Sequence, residues 1–302
     1  LLYNLGKYDP PEEGEPPDAH AELDSESTVV AIADALRWGG HEVLFIEGNE
    51  DAYERLRHSG VDIVFNICEG IRGESRESHI PAMCEMLGIP YAGSKVLSLA
   101  IALDKPAAKK IFMYHGIPTP KFKVFGPHDK ISVSGLEFPL FVKPAHEGSS
   151  MGVTASSLCR NMFELEQQVR YMTRAYKQEA LVEEFIDGRE FTVGILGNDE
   201  PHVFPVMEVT FRHCPPGHGN IYSRQYKAEW DDMSYYPCPA DITAEEERLL
   251  KETAVRAFHA LGCLDVGRVD FRMKDGIPYV LEINPLPGLA PGFSDLPRIA
   301  NA

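Results

Sequence analysis

The chain has 302 residues, 44% of them hydrophobic and 25% charged, which is enough for two or three packed units of an ordinary globular protein. Its formal net charge of −17 is spread along the chain. That argues against a nucleic-acid surface and against an anionic membrane, although a few local cations can still dominate one cleft. No apolar run reaches the roughly 18 residues of a membrane span. Cys68, Cys84, Cys159, Cys214, Cys238 and Cys263 are far apart and form no CxxC pair. Reduced thiols of a cytoplasmic protein are therefore expected, rather than a disulfide or zinc framework. The sequence opens at Leu1 without Met or a signal-like segment, so the first strand is expected to be trimmed.

Residues 7–20 (KYDPPEEGEPPDAH) are rich in proline and acid and read as an exposed loop. DSESTVVAIADALRWGG reads as a helix, capped by Asp24 or Ser25 and ended by Gly39-Gly40. HEVLFIEG is a strand, DAYERLRHSG a helix, VDIVFNI a strand and HIPAMCEMLG a helix, with IPYAGS closing the unit near residue 97. This alternation predicts a parallel α/β unit. SLAIALDKPAAKKIFMYHG reads as one helix, ended by GIPTP. LEFPLFVKP and MGVTASS then read as strands around a polar loop, NMFELEQQVRYMTRAY as a helix, and ALVEEFIDG and REFTVGILG as strands. A long loop (212–238), the helix TAEEERLLKETAVRAFHALG and a terminal hairpin complete the chain.

That hairpin, GRVDFRMKDGIPYVLEINPLPGL, sets charges among apolar residues. Strand side chains alternate faces, so Val269 and Phe271 share one face and Arg268 and Asp270 the other. Likewise Leu281 and Ile283 oppose Glu282 and Asn284. A strict two-residue loop at Asp275-Gly276 would put Asp270 and Glu282 on opposite faces. An odd loop, such as three residues with a bulge, would set them opposite each other, and this is the expected arrangement. Two facing carboxylates with an amide oxygen would repel without a cation and suit Mg²⁺. Taken alone, the same residues also describe a solvated sheet face with one ion pair.

KPAHEGSSMGV, from Lys143 to Val153, lies between two strands. Gly148 and Gly152 let the backbone turn tightly, and Ser149 and Ser150 add donors for phosphate oxygens. The segment is neither a Walker loop nor a dinucleotide fingerprint, and on its own it also describes a hairpin turn. Lys143 sits mid-strand among apolar residues and calls for an anionic partner or a snorkelling path. Lys105 falls at a helix start, where a solvated lysine is the ordinary reading. Glu183, Glu184 and Glu190 flank a turn and are compatible with a surface position.

Together, GIPYAGS, LDKPAAKK, GIPTP, VKPAHEGSSMGV, VEEFIDGREFTV, ALGCLDVGRVDF and LEINPLPGL resemble the D-alanine–D-alanine ligases of the ATP-grasp superfamily over nearly the whole length. The resemblance implies a three-domain α/β ATP-grasp architecture. A Rossmann-like parallel-sheet domain would span 1–97, a small lid domain 98–183 and a large domain with the metal site 184–302. It implies ATP-dependent joining of a carboxylate to an amine through an acyl phosphate, giving D-alanyl-D-alanine or a similar dipeptide for peptidoglycan synthesis. Lys105 and Lys143 would contact the ATP phosphates. The loop carrying Gly148, Ser150 and Gly152 would close over them. Residues Glu183, Glu184, Phe185 and Ile186 would read adenine, with Glu190 at the ribose. Asp270, Glu282 and Asn284 would hold two Mg²⁺ ions, with Mn²⁺ as a substitute. Arg268 and the Gly288 N–H would stabilise the oxyanion. Glu22 would grip the first substrate's amine with Ser149 in the same network, Lys227 would belong to the lid, and Ser294 would bind the second substrate. The implied partners are small amino acids, with no nucleic acid and no membrane, and a homodimer is the family expectation.

Three segments depart from the family pattern. Ala228 follows the lid lysine where many members carry Tyr, and Tyr226 precedes it instead. CEGIRGESRESHIP places Glu69 where a His is expected, with Glu74 as the retained acid. Asp295 puts an anion beside Ser294. These departures open the alternative of a ligase for another amino acid or small peptide, including an acceptor with a positive group. A non-catalytic ATP-binding regulatory protein is a further alternative, against which Lys143, Arg268, Asp270, Glu282 and Asn284 all speak.

Overall fold

The computed structural model describes residues 1–6, 14–211, 220–223, 226 and 236–302. The first part is built from short parallel pairs. β1 (Leu2–Tyr3) pairs with β2 (Ile46–Glu47), β3 (Val64–Phe65) pairs with β4 (Tyr91–Ala92), and Leu2 bridges to Asn66. Helices α1 (Glu26–Trp38), α2 (Ala52–Arg57) and α3 (His79–Leu87) alternate with them, as a parallel unit requires. Ser25 caps α1, accepting the Thr28 N–H at 3.2 Å.

The stretch expected as one helix is two: α4 (Val96–Leu103) and α5 (Lys105–Tyr114). Asp104 breaks the run. It leaves helical geometry at φ −78°, ψ 86°, and its side chain accepts the Ala107 N–H at 2.9 Å, with Pro106 in the first turn. An aspartate followed by Lys-Pro is a helix start, and that local signal overrides the continuous apolar pattern.

β5 (Phe122–Phe125), β8 (Ala180–Glu184), β6 (Leu140–Pro144) and β7 (Leu158–Cys159) form an antiparallel sheet in that order, backed by α6 (Met162–Ala175). MGVTASS, expected as a strand, instead finishes the polar loop and a 3₁₀ turn at Ala155–Ser157, and the pairing falls on Leu158–Cys159. Thr154 and Ser157 cap each other there, so the hydroxyls take up N–H groups that a ladder would have used.

The larger sheet runs β10 (His202–Val203), β9 (Arg189–Leu196), β12 (Val266–Lys274) and β13 (Ile277–Asn284), with β11 (Met207–Val209) also on β9. Helix α7 (Ala244–Ala260) starts in a capping box of Thr243 and Glu246 and covers one face. Its Phe258 packs with Phe112, Phe191 and Phe271 in one core, to which α4 and α5 also contribute Ala102 and Ala108. A short helix, α8 (Asp295–Ala300), ends the chain. Among the described residues no helix is long and apolar enough to cross a membrane. The described cysteines, Cys68, Cys84, Cys159, Cys238 and Cys263, are all free thiols.

Candidate active site

The hairpin β12–β13 sets Asp270 opposite Glu282 and Arg268 opposite Asn284. The pairing is the expected one, but the device is not an odd loop. Lys274 pairs with Ile277, so Asp275-Gly276 is a two-residue turn, with φ 51° and 74°. The extra residue is a bulge: Phe271 pairs with Val280, not Leu281, and the register shifts between Asp270 and Phe271. Val280 therefore fills the core at 0% exposure, and Leu281 joins Glu282 on the cavity wall.

A cavity of about 540 Å³ lies over this wall. Lys105 reaches it from the first turn of α5 and Lys143 from β6, both buried. Their ammonium groups lie 3.8 and 3.9 Å from one Glu282 oxygen. Lys105 also donates to the Glu147 carbonyl. Lys143 is 3.0 Å from Glu183. Burial opposes the charge on Lys143, but Glu183 and Glu282 outweigh it and hold the group above its ordinary pKa.

Glu183 is paired on its other oxygen with Lys109, 2.8 Å away. Burial pushes the Glu183 carboxyl up, yet Lys109 and Lys143 together bring it down to about 2. Lys109, 1% exposed, is itself lowered to about 8, by burial first. Lys109 also donates to Thr119, which donates to the Val280 carbonyl at the bulge.

Arg268 forks onto Asp270 with bonds of 3.0 and 2.8 Å. Asp270 also accepts from Thr192 at 2.6 Å and Asn284 at 3.0 Å. Asp295, the anion expected to face the second substrate, is buried 3.9 Å from Arg268 and accepts from the Tyr222 hydroxyl at 3.2 Å. Its charge is thus answered by Arg268. Burial disfavours the Arg268 cation, but Asp270, Asp295 and Glu282 raise its pKa.

The glycine loop departs from the sequence reading in its reasons. Ser149 and Ser150 themselves take left-handed backbone, at φ 46° and 58°, beside Gly152 at 73°. Gly148 is required for another reason: a Cβ there would lie 2.5 Å from Glu22 Oε1, which accepts the Gly148 N–H. Asp18 likewise accepts the Gly152 N–H at 2.9 Å. Glu22 is saturated on its other oxygen by Arg76 at 2.6 Å.

Of the residues expected at the site, Glu22, Lys105, Lys143, Gly148, Ser149, Ser150, Glu183, Glu184, Phe185, Ile186, Glu190, Arg268, Asp270, Glu282, Asn284, Gly288 and Ser294 line this one cavity. Gly152 is not on the cavity wall, and a Cβ built on it would lie 2.7 Å from Pro144 Cγ. Lys227 and Ala228 lie outside the described residues. Tyr226 is 2% exposed, and its hydroxyl donates to the Thr210 carbonyl at 2.6 Å. Glu74 is exposed, whereas Glu77, three positions past that expected acid, lines the cavity.

A family model described as D-ala D-ala ligase C-terminus matches residues 111–302. The chain belongs to the D-alanine–D-alanine ligase family, within the ATP-grasp superfamily. It is 35% identical to a D-alanine–D-alanine ligase of Syntrophotalea carbinolica, over 90% of this chain and 84% of that one. With an uncharacterized protein of Sinorhizobium fredii it shares 38% identity, over 86% and 78% of the two chains. The crystal structure of a D-alanine–D-alanine ligase from Bacillus anthracis complexed with ATP superposes at a TM-score of 0.73 and 26% identity, covering 92% of this chain and 87% of that one. The protein is therefore an ATP-dependent carboxylate–amine ligase that forms a dipeptide through an acyl phosphate, with Mg²⁺-dependent catalysis.

Sequence reasoning missed three residues of this ligase site. Arg272 is 4% exposed, holds Glu190 through two bonds of 3.0 and 2.7 Å, donates to the Ile186 carbonyl at 3.1 Å and lies 4.6 Å over the Phe185 ring. Its signal was in the sequence, since it shares the polar face of Arg268 and Asp270. Tyr222 lines the cavity, and its carbonyl accepts from Ser150 at 3.0 Å. It sits in an irregular loop without a periodic signal. Arg76 joins Glu22 to Glu147, 2.9 Å away, and its partners are far apart in sequence.

Proposed function

We propose that ATP lies between the two antiparallel sheets, and that an amino acid at the N-terminal end of the cavity is phosphorylated on its carboxylate and then joined to the amine of a second amino acid. The observation that carries this reading is the convergence of Lys105 and Lys143 on Glu282, directly opposite Asp270 with its Arg268 fork. The two lysines meet the phosphates, whose spread charge must be neutralised during transfer. Backbone groups from Glu183 to Ile186, with Glu184 and Phe185, read adenine, and Glu190, fixed by Arg272, meets the ribose. The loop of Gly148, Ser149, Ser150 and Gly152 covers the phosphates.

Asp270, Glu282 and Asn284 fit Mg²⁺ by their chemistry. All offer oxygen, Glu282 makes no hydrogen bond with the described residues, and two carboxylates with phosphate oxygens are the ordinary Mg²⁺ set. Among the described residues no group of three His, Cys, Asp or Glu gathers, so the remaining coordination falls to phosphate and water. Two ions are proposed there, and the metal supplies charge neutralisation to the transferring phosphoryl group. In the second step the amine's lone pair attacks the acyl carbon. Arg268 and the Gly288 N–H hold the oxyanion, and phosphate leaves as the amine gives up its proton. Ser294, whose hydroxyl accepts the Ala290 N–H at 3.1 Å, stands beside Gly288 on the acceptor side. D-Alanine is the reference substrate from the names of the relatives, with the dipeptide used in peptidoglycan synthesis.

The test is phosphate release from ATP with Mg²⁺ across D- and L-amino acids, singly and in pairs, with products identified by mass spectrometry. Glu282→Ala should lower kcat by about 100-fold or more at unchanged urea midpoint. Survival of turnover in that variant would remove Glu282 from the metal site.

A further inference from the structure

We propose that the amino acid held at the N-terminal end of the cavity carries a cationic side chain in addition to its α-ammonium, and that Glu69 and Glu77 receive that second charge. This rests on the ligase reading and names the substrate class of its donor.

Five carboxylates line this end: Glu22, Asp24, Glu69, Glu77 and Glu147. Among the described residues, the cations beside them are few and already engaged. Arg76 is held by Glu22, Glu147 and the His146 carbonyl. Lys105 is turned to the Glu147 carbonyl and Glu282. Glu22 is filled by Arg76 and Gly148, and Glu147 by Arg76 and Gln178. Asp24, Glu69 and Glu77 make no side-chain hydrogen bond or ion pair with the described residues. Glu77 is only 9% exposed, yet its carboxylate faces the cavity without a partner.

A carboxylate as buried as Glu77 is costly without a partner unless it is neutralised or receives a cation, and the half-buried Asp24 and Glu69 add like charge beside it. The single ammonium of a D-alanine-like donor answers one of the three and leaves the others unpaired on the cavity wall. A second ammonium on the same molecule answers two. The three groups respond to their setting as unmet anions do: burial, then the neighbouring carboxylates, raises Glu69 well above its usual range and Glu77 to about 8, and burial raises Asp24 to about 6.

The experiment uses the full chain with Mg²⁺ and measures both calorimetric binding in the presence of ADP and phosphate release from ATP. The donors are D- and L-alanine, ornithine, 2,3-diaminopropionate, and norvaline as the neutral counterpart of ornithine. At least one diamino acid should be preferred over alanine and norvaline by about tenfold or more, the equivalent of about 1.4 kcal/mol. Glu69→Gln and Glu77→Gln, each checked for an intact thermal transition, should shrink the ornithine-to-norvaline ratio, which a purely structural role would leave alone. Alanine or norvaline serving as well as every diamino acid, with phosphate released, would overturn this inference and keep the ligase reading. A ratio unmoved by both variants would also overturn it. Selective binding of diamino acids without phosphate release from any pair would uphold the cation site and sink the ligase reading instead.

Discussion

Arg272 is the residue whose removal separates a structural from a positioning role at the nucleotide end. It and Glu190 are buried, at 4% and 8% exposure, and the guanidinium makes both bonds of a fork to one carboxylate. Replacing Arg272 by Met keeps most of the volume and breaks a buried ion pair by removing one partner, a change that costs about 3–5 kcal/mol. In a Glu190→Leu background the same substitution deprives only the Ile186 and Asn220 carbonyls of a donor. It should then cost no more than about 2 kcal/mol, at about 1 kcal/mol per hydrogen bond. The coupling in a double-mutant cycle is therefore expected at about 1 kcal/mol or above.

Urea unfolding at fixed pH reads the stability terms, and ATP binding by calorimetry reads the positioning. Arg272→Met should weaken ATP binding beyond what its stability loss explains, because the same side chain orients the Ile186 carbonyl and lies over the Phe185 ring. The double variant should recover stability and not ATP affinity. If Arg272→Met unfolds within about 1 kcal/mol of the parent, or if the double variant regains ATP affinity, the assignment of Arg272 to nucleotide positioning is refuted.

Glu77 gives a pH prediction. Its folded pKa of about 8 lies above the ordinary 4.5, so the protonated form is favoured on folding and stability falls as pH rises from about 4.5 to about 8. At 1.36 kcal/mol per pKa unit the total is at most about 5 kcal/mol, and Glu77→Gln should remove it, seen as a higher urea midpoint near pH 8. Glu183 works in the opposite sense: lowered to about 2, it contributes stability above about 4.5 that is lost as pH falls toward 2, and Lys109→Met should move acid unfolding to higher pH. Gly152→Ala meets both a left-handed backbone, φ 73°, and Pro144 Cγ at 2.7 Å, and should cost about 1–3 kcal/mol in thermal unfolding. Gly148→Ala should instead displace Glu22, breaking its bond to the loop and lowering kcat/KM with little change in stability.

The sequence made the metal-side wall legible because strand alternation is a strong local rule. Arg268, Asp270 and Asn284 fall where period two puts them, and Arg272 obeys the same rule. The bulge at Leu281 carries no comparable signature. The Asp-Gly turn announced its two residues plainly, and the parity was then restored by one extra residue inside β13 that apolar composition does not mark. Helix α5 shows the reverse case: Asp-Lys-Pro was a readable start that the long apolar run concealed.

The N-terminal end of the cavity was least legible, for a reason of physics rather than of motif. Glu69, Glu74 and Glu77 look alike as letters, and the family pattern favoured Glu74. The fold turns Glu74 to solvent, while a 3₁₀ turn at Arg76–Ser78 drives Glu77 inward and brings Arg76 to Glu22. A carboxylate at a solvated position costs nothing, whereas one buried without a partner works against folding at neutral pH. A fold that carries such a cost at the wall of its own substrate cavity is the pattern expected where binding supplies the missing charge. The departure from the family pattern at Glu69 is therefore better understood as part of one electrostatic site, shared with Arg76 and Glu77, than as an isolated substitution. Asp295, which in the sequence is another such departure, belongs elsewhere, because Arg268 and Tyr222 already answer it.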